Sequence, residues 1–141
     1  MRFLDANVFI YAYYKPKKQL TQKEKQMKEH AKNIITNVSR GKEDVIITVI
    51  HVSEMVNILK HGLSADELNA IIRGLFMLDN LKIMDVTRNE YFAAIELGDD
   101  LKLEANDALA VDVMRLNGVK EIYSFDEDFD RIDGIIRLPT F

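Results

Sequence analysis

Five short apolar runs separated by longer helical patterns constrain this chain more than any single residue does. The runs are Arg2 to Leu4, Val45 to Val49, Leu81 to Val86, Glu121 to Phe125 and, more faintly, Ile135 to Leu138. Apolar residues between them recur at helical spacing, as in Val52, Met55, Val56 and Leu59, and again in Leu68, Ile71, Ile72, Leu75 and Phe76. Strands alternating with helices predict a mainly parallel sheet of about four to five strands, covered by helices on both faces. No repeat, low-complexity tract or Pro/Gly-rich linker divides the 141 residues, so a single domain over 1–141 is expected. Hydrophobic residues make up 48% of the chain, enough for a core without staples.

Helix boundaries are written in local chemistry. Ser64 with Glu67, and Thr87 with Glu90, have capping-box spacing, in which each pair satisfies the free N–H groups of a helix start. Gly118 after Leu116 and Asn117 suits a left-handed C-cap, and Gly62 after Lys60 and His61 reads the same way.

Composition excludes several functions. There is no cysteine, so disulfides, thiolate zinc sites and cysteine nucleophiles are out, which is compatible with a reducing cytoplasm. The apolar patch at Phe3, Leu4, Val8, Phe9 and Ile10 is interrupted by Asp5 and Asn7, and Val45 to Val49 is too short to span a bilayer. A soluble, unexported, cytoplasmic protein is expected. The net charge of −4 and pI near 5.4 argue against nucleic-acid binding by bulk charge. Such a role needs a local basic patch, a metal, or both.

The informative residues are acids in apolar surroundings. Asp5 follows Phe3 and Leu4 at the end of the first run, and Asp126 follows Ile122 to Phe125 in the same way. Ligands of open α/β sheets bind beyond the carboxyl ends of strands. Two such acids converge if their strands are neighbours; otherwise each simply caps the next helix or turn. Asp107 opens Ala108 to Met114, a segment apolar nearly all round and hence a buried helix. A carboxylate there needs a partner, a metal or the helix N-terminus. Asp112 lies about 140° further round that helix and reads as structural, paired to Lys or Arg. Glu54 sits at the rim of the Val52, Met55, Val56 stripe, as a site residue or a surface glutamate. His30, His51 and His61 read as surface or capping residues rather than ligands. Lysines concentrate at 15, 17, 18, 23, 25, 28 and 32, either to steer an RNA backbone or as a solvated face opposite Glu24 and Glu29. Tyr11, Tyr13 and Tyr14 can stack on a base or pack at a core edge.

Taken together, four segments resemble PIN-domain ribonucleases in the family's own order. Phe3 to Ile10 is similar to the opening strand and turn. Thr48 to Leu59, containing Ser53-Glu54, is similar to the second acidic motif. Leu103 to Ala110 resembles the third, and Tyr123 to Ile132 the fourth. The nearest subgroup is the short VapC-like toxin of toxin–antitoxin pairs. The resemblance implies a PIN-like three-layer α/β/α fold with Asp5, Glu54, Asp107 and Asp126 around Mg²⁺ or Mn²⁺. Asp5 and Asp107 would be the most direct ligands. Asn7 and Ser124 would orient the acids, with Asp128 assisting. Ala6 and Ser124 stand where the family often has threonine, and neither change removes a carboxylate. It further implies RNA as substrate and hydrolysis to a 5′-phosphate and 3′-hydroxyl, for which Lys15, Lys17 and Lys18 of the basic segment are the candidate RNA contacts. A small antitoxin partner and a homodimer using the Val52–Leu59 and Leu68–Phe76 stripes complete the expectation.

Oxygen-only ligands agree with a hard cation. Three rival readings stand beside this one. A haloacid-dehalogenase-like phosphatase wants an acid where Asn7 stands. A flap nuclease wants helical additions that 141 residues scarcely allow. A catalytically inactive PIN-like module binding RNA or protein would use the acids only structurally.

Overall fold

The computed structural model describes all residues 1–141. In chain order it contains β1 (Arg2–Leu4), α1 (Ala6–Tyr13), α2 (Gln22–Ser39), β2 (Val45–Thr48), α3 (Val49–Leu59), α4 (Ala65–Phe76), β3 (Leu81–Met84), α5 (Arg88–Leu101), α6 (Ala105–Leu116), β4 (Glu121–Tyr123), a 3₁₀ turn (Glu127–Arg131) and β5 (Ile136–Leu138). The five strands form one sheet in the order β3-β2-β1-β4-β5, and every pairing is parallel.

The two-residue period of the strands divides the core. Leu4, Val45, Ile47 and Tyr123 face a layer built from α1 to α4, with Phe9, Ile34, Met55 and Leu59 among its buried residues. Phe3, Ile46 and Ile122 face the opposite way, onto Leu109, Val113 and Met114 of α6 and Phe129 of the 3₁₀ turn. Three layers result, with the sheet in the middle. The chain runs outward from β1 to β2 and β3, then returns to place β4 on the other flank of β1. The switch of direction falls between β1 and β4, where open α/β sheets bind ligands.

Local chemistry explains the element ends. Both expected capping boxes form, at Ser64 with Glu67 and at Thr87 with Glu90, and a third joins Thr21 to Glu24. Strand β2 is shorter than its apolar run because the Thr48 hydroxyl accepts the His51 N–H, so the helix begins at Val49. Val86 and Phe125 likewise lie beyond their strands. Gly118 adopts the expected left-handed conformation, φ 65°. Gly62 does not: the chain leaves α3 through tight turns in which Gly62 and Leu63 N–H donate to the Leu59 carbonyl, without a positive φ. The left-handed residue after α5 is Lys102, φ 59°. Its turn brings the Leu103 carbonyl against Gly98, where a Cβ would lie 2.6 Å from that oxygen. Only a glycine lets α6 start this close to α5. No helix is long and apolar enough to cross a membrane.

Candidate active site

Parallel β1 and β4 are neighbours, with Leu4 paired to Tyr123. The residues just after these strands, Asp5 and Ser124 to Asp126, therefore share one end of the sheet. Asp5 is only 4% exposed, and it begins α1 without using its side chain as a cap. Its Oδ2 accepts instead from the Ser124 hydroxyl at 2.6 Å. That oxygen of Ser124 also accepts the Asp126 backbone N–H at 3.0 Å and the Asn7 Nδ2 at 3.3 Å. Asn7 Oδ1 takes the Phe125 N–H at 3.3 Å, so the loop after β4 is tied to the first turn of α1 from both sides.

Asp107 enters from the first turn of α6. One carboxylate oxygen each from Asp107, Asp126 and Asp128 lie within 4.8 Å of one another. Asp126 is additionally fixed by accepting the Asp128 N–H at 2.9 Å, the cap of the 3₁₀ turn. Asp5 and Glu54 border this trio closely enough to act on it electrostatically. Burial, then the charges of Asp5, Asp126 and Glu54, push the Asp107 carboxyl up to about 8. Burial raises Asp5 to about 7, with Glu54 and Asp126 adding to it and the Ser124 hydrogen bond opposing it.

Glu54 is held by a partner that the sequence did not single out. Asn106 Nδ2 donates to Glu54 Oε1 at 3.0 Å, while Asn106 Oδ1 accepts from the Tyr91 hydroxyl at 2.6 Å. The Asn106 backbone carbonyl accepts from His51 Nε2 at 3.0 Å. A carbonyl can only accept, so His51 is the Nε2–H tautomer and its Nδ1 accepts the Thr48 hydroxyl at 2.7 Å. His51 is fully buried, not a surface residue, and burial holds its pKa down at about 4, a neutral imidazole. Thr48, a polar residue ending an apolar strand, was the one local sign of this layer.

The protein has five ion pairs, and none involves Asp5, Glu54, Asp107, Asp126 or Asp128. Carboxylates gathered with no ion pair to a Lys or Arg, offering only oxygen donors, fit a hard divalent cation such as Mg²⁺ or Mn²⁺.

This order of motifs on this sheet matches the model of the PIN domain family over residues 2–135. The chain belongs to the PIN domain family. Three solved structures share the fold of this PIN domain at low identity. A toxin–antitoxin complex from Klebsiella pneumoniae is 16% identical, with a TM-score of 0.65 and 96% of each chain covered. VapC20 from Mycobacterium tuberculosis, a toxin that cleaves the sarcin–ricin loop, is 17% identical, with a TM-score of 0.68 and coverage of 92% and 93%. VapBC2 from Rickettsia felis, bound to a DNA fragment of its promoter, is 17% identical, with a TM-score of 0.63 and coverage of 97% and 96%. No curated protein matches in sequence.

The remaining polar residues sort by position. Asp112 of this PIN domain is half-buried on α6 and has no ion pair, so the expected Lys or Arg partner is absent. The lysines do not pair with Glu24 and Glu29. Lys15 lies 3.7 Å from Glu67 and Lys23 lies 3.7 Å from Glu127. The Lys28 ammonium donates to the carbonyls of Tyr11 (3.0 Å) and Tyr14 (2.7 Å), closing the end of α1. Lys17 and Lys18 line an apolar cavity of about 550 Å³ with Tyr11, Tyr14, Leu20 and Ile58. Tyr11 is also an edge-on neighbour of Phe125, with ring centres 5.1 Å apart.

Proposed function

We propose that this PIN domain is a divalent-metal-dependent endoribonuclease and the toxin of a VapBC-type toxin–antitoxin pair. The observation that carries the reading is the convergence of Asp107, Asp126 and Asp128 within 4.8 Å, bordered by Asp5 and Glu54 and unpaired to any cation. Asp5, Asp107 and Asp126 would hold Mg²⁺ or Mn²⁺, with Glu54 and Asp128 as further oxygen donors. Bound there, the ion supplies an acidified water and neutralises charge on phosphoryl oxygens.

The chain's own residues prepare that chemistry. Ser124 aims Asp5 and fixes the Asp126 backbone through one hydroxyl. Asn7 holds Ser124 and the Phe125 amide in register. Asn106 keeps Glu54 at the rim, where it can take a proton from an attacking water. In-line attack would leave a 5′-phosphate and a 3′-hydroxyl. The toxin reading is supported by the likeness in fold to VapC20 and VapBC2. By the same analogy a small antitoxin would cover the site in a cytoplasmic complex.

A homodimer is part of the proposal. Ile58 of α3, Phe76 at the end of α4 and Met77 after it expose apolar surface beside the predicted stripes. Size-exclusion chromatography with light scattering should give twice the 16.3 kDa chain mass, and a monomer alone would remove this element.

The decisive test is cleavage of a labelled mixed-sequence RNA with Mg²⁺ or Mn²⁺, wild type beside Asp5→Asn and Asp107→Asn. Metal-dependent cutting lost in both folded variants is the expected result. Identical behaviour of all three, after antitoxin has been stripped, would favour the binding-module reading.

A further inference from the structure

A second cavity, of about 600 Å³, opens directly onto the acids, and it is chemically unlike the apolar one across Tyr11. Asp126 and Asp128 form one wall, Lys23 and Arg137 carry positive charge into it, and Tyr11, Phe125 and Phe141 supply aromatic surface. Phe141 is the distinctive member. One face of its ring stacks on His30 at 4.7 Å and 21°, and Phe125 meets it edge-on at 6.4 Å. Yet Phe141 remains 57% exposed. An aromatic ring braced from behind and bare in front is a stacking platform.

The two cations differ in how they are engaged. Arg137 grips Asp130 through Nε (2.8 Å) and Nη2 (2.9 Å), and its Nη1 donates to the Ser124 carbonyl at 3.3 Å. It is fixed beside the acid loop. Lys23 makes only a loose 3.7 Å pair with Glu127, with both side chains at least 70% exposed, a contact readily exchanged for a phosphate. Acid wall, loosely paired ammonium, fixed guanidinium and braced ring together suit one nucleotide of a single strand. Duplex RNA presents no free base face to such a ring.

Resting on the nuclease reading of the acids, we infer that this cleft is a nucleotide subsite for single-stranded RNA, in which an unpaired base stacks on Phe141 and its phosphate lies against Lys23 and Arg137. The strand then leaves the acids between α2 and the residues after β5. This makes Lys23, rather than the lysines of the neighbouring apolar cavity, the first cation the chain meets.

The test is fluorescence-anisotropy binding of a labelled single-stranded RNA in an Asp107→Asn background, which blocks turnover. Phe141→Ala should weaken binding about tenfold, the scale of one lost base stack. Phe141→Trp should restore it. Lys23→Glu should weaken binding and lower the salt slope by about one. Lys120→Glu, at the far end of the sheet, should change nothing. Equal binding by Phe141→Ala, Lys23→Glu and the parent overturns the subsite, as does equal Phe141 dependence for a duplex of the same sequence. Wild-type cleavage of the same RNA separates the two levels. Cutting that is indifferent to Phe141 and Lys23 removes the subsite and leaves the nuclease standing. Absence of both cutting and binding removes both.

Discussion

The buried hydroxyl of Ser124 stands between Asp5 and Asp126, donating to Asp5 Oδ2 at 2.6 Å and accepting the Asp126 N–H at 3.0 Å. One oxygen thus couples acids carried by two different strands. Ser124→Ala leaves Asp5, Asn7 and the Asp126 amide each short of a partner, with the Asp5 carboxylate itself buried. A loss of about 1–3 kcal/mol in urea unfolding is expected, together with a fall in RNA cleavage. Ser124→Thr keeps the hydroxyl and should keep more of both.

The acid cluster makes the metal-free protein pH-sensitive in a defined direction. Asp5 and Asp107 titrate at about 7 and 8 in the fold but near 3.8 when unfolded. Between these values the native state holds more protons than the unfolded chain, so stability falls as pH rises. Calorimetry in a chelator should show the melting temperature dropping by roughly 5 °C or more from pH 6.5 to pH 8. Asp107→Asn should flatten that slope and raise stability at pH 8. A flat profile for the wild type would contradict the proximity of these acids.

His51 has the opposite sign. Its folded pKa of about 4 lies below the unfolded 6.5, so the unfolded chain gains a proton first on acidification and stability is lost below pH 6.5. This partly offsets the gain from the acids in that range. Nitrogen-15 NMR of the imidazole should show a neutral Nε2–H tautomer that does not titrate between pH 5 and 8. His51→Ala should cost about 2–4 kcal/mol through the cavity and the partners stranded on Thr48 and Asn106.

Asn106 separates positioning from folding. Its backbone bond to His51 survives any substitution, but Asn106→Ala releases Glu54 and the Tyr91 hydroxyl. Cleavage should fall by about 10- to 150-fold, since a hydrogen bond to a charged group is worth about 1.5–3 kcal/mol. The melting temperature should move little. Parallel Mn²⁺ titration by calorimetry would report whether the loss lies in the acid centre.

Gly98 is where the turn leading from α5 into α6 folds back most closely on a glycine. Gly98→Ala drives a Cβ to 2.6 Å from the Leu103 carbonyl oxygen, which only a backbone shift relieves. About 1–3 kcal/mol of stability should be lost. Because the shifted segment leads to Asp107, activity should fall even at temperatures where the variant is folded.

Much of this arrangement was legible beforehand for a physical reason. A strand that ends on an acid, such as Leu4–Asp5, announces both the sheet and its functional end. The same is true of the apolar helix opened by Asp107. Strand lengths were overread at Val49, Val86 and Phe125 because hydrophobicity alone does not register a cap: the Thr48 hydroxyl starts α3 one residue early. The Thr21–Glu24 box has the same capping spacing in the sequence, set among lysines. His51 and Asn106 were not readable, since their bond spans 55 positions and nothing local marks it. The lysine partners were hidden likewise: Lys15 and Lys23 meet acids far along the chain, at Glu67 and Glu127, rather than the nearby Glu24 and Glu29.

The pairing of Leu4 with Tyr123 has a consequence for the order of events in synthesis. The central strand precedes both of its neighbours in the chain, yet one of them follows only after β2 and β3 have been made; the Ser124–Asp5 bond spans 119 positions. A nascent chain can pair β1 with β2 and bury the α1–α3 layer long before Asp126 leaves the ribosome. Until then Asp5 has no hydroxyl to aim it and no companion acid across the switch point. A chain stalled before β4 would therefore lack both Asp126 and the hydroxyl that aims Asp5, so the acid centre is assembled only after β4 has been made.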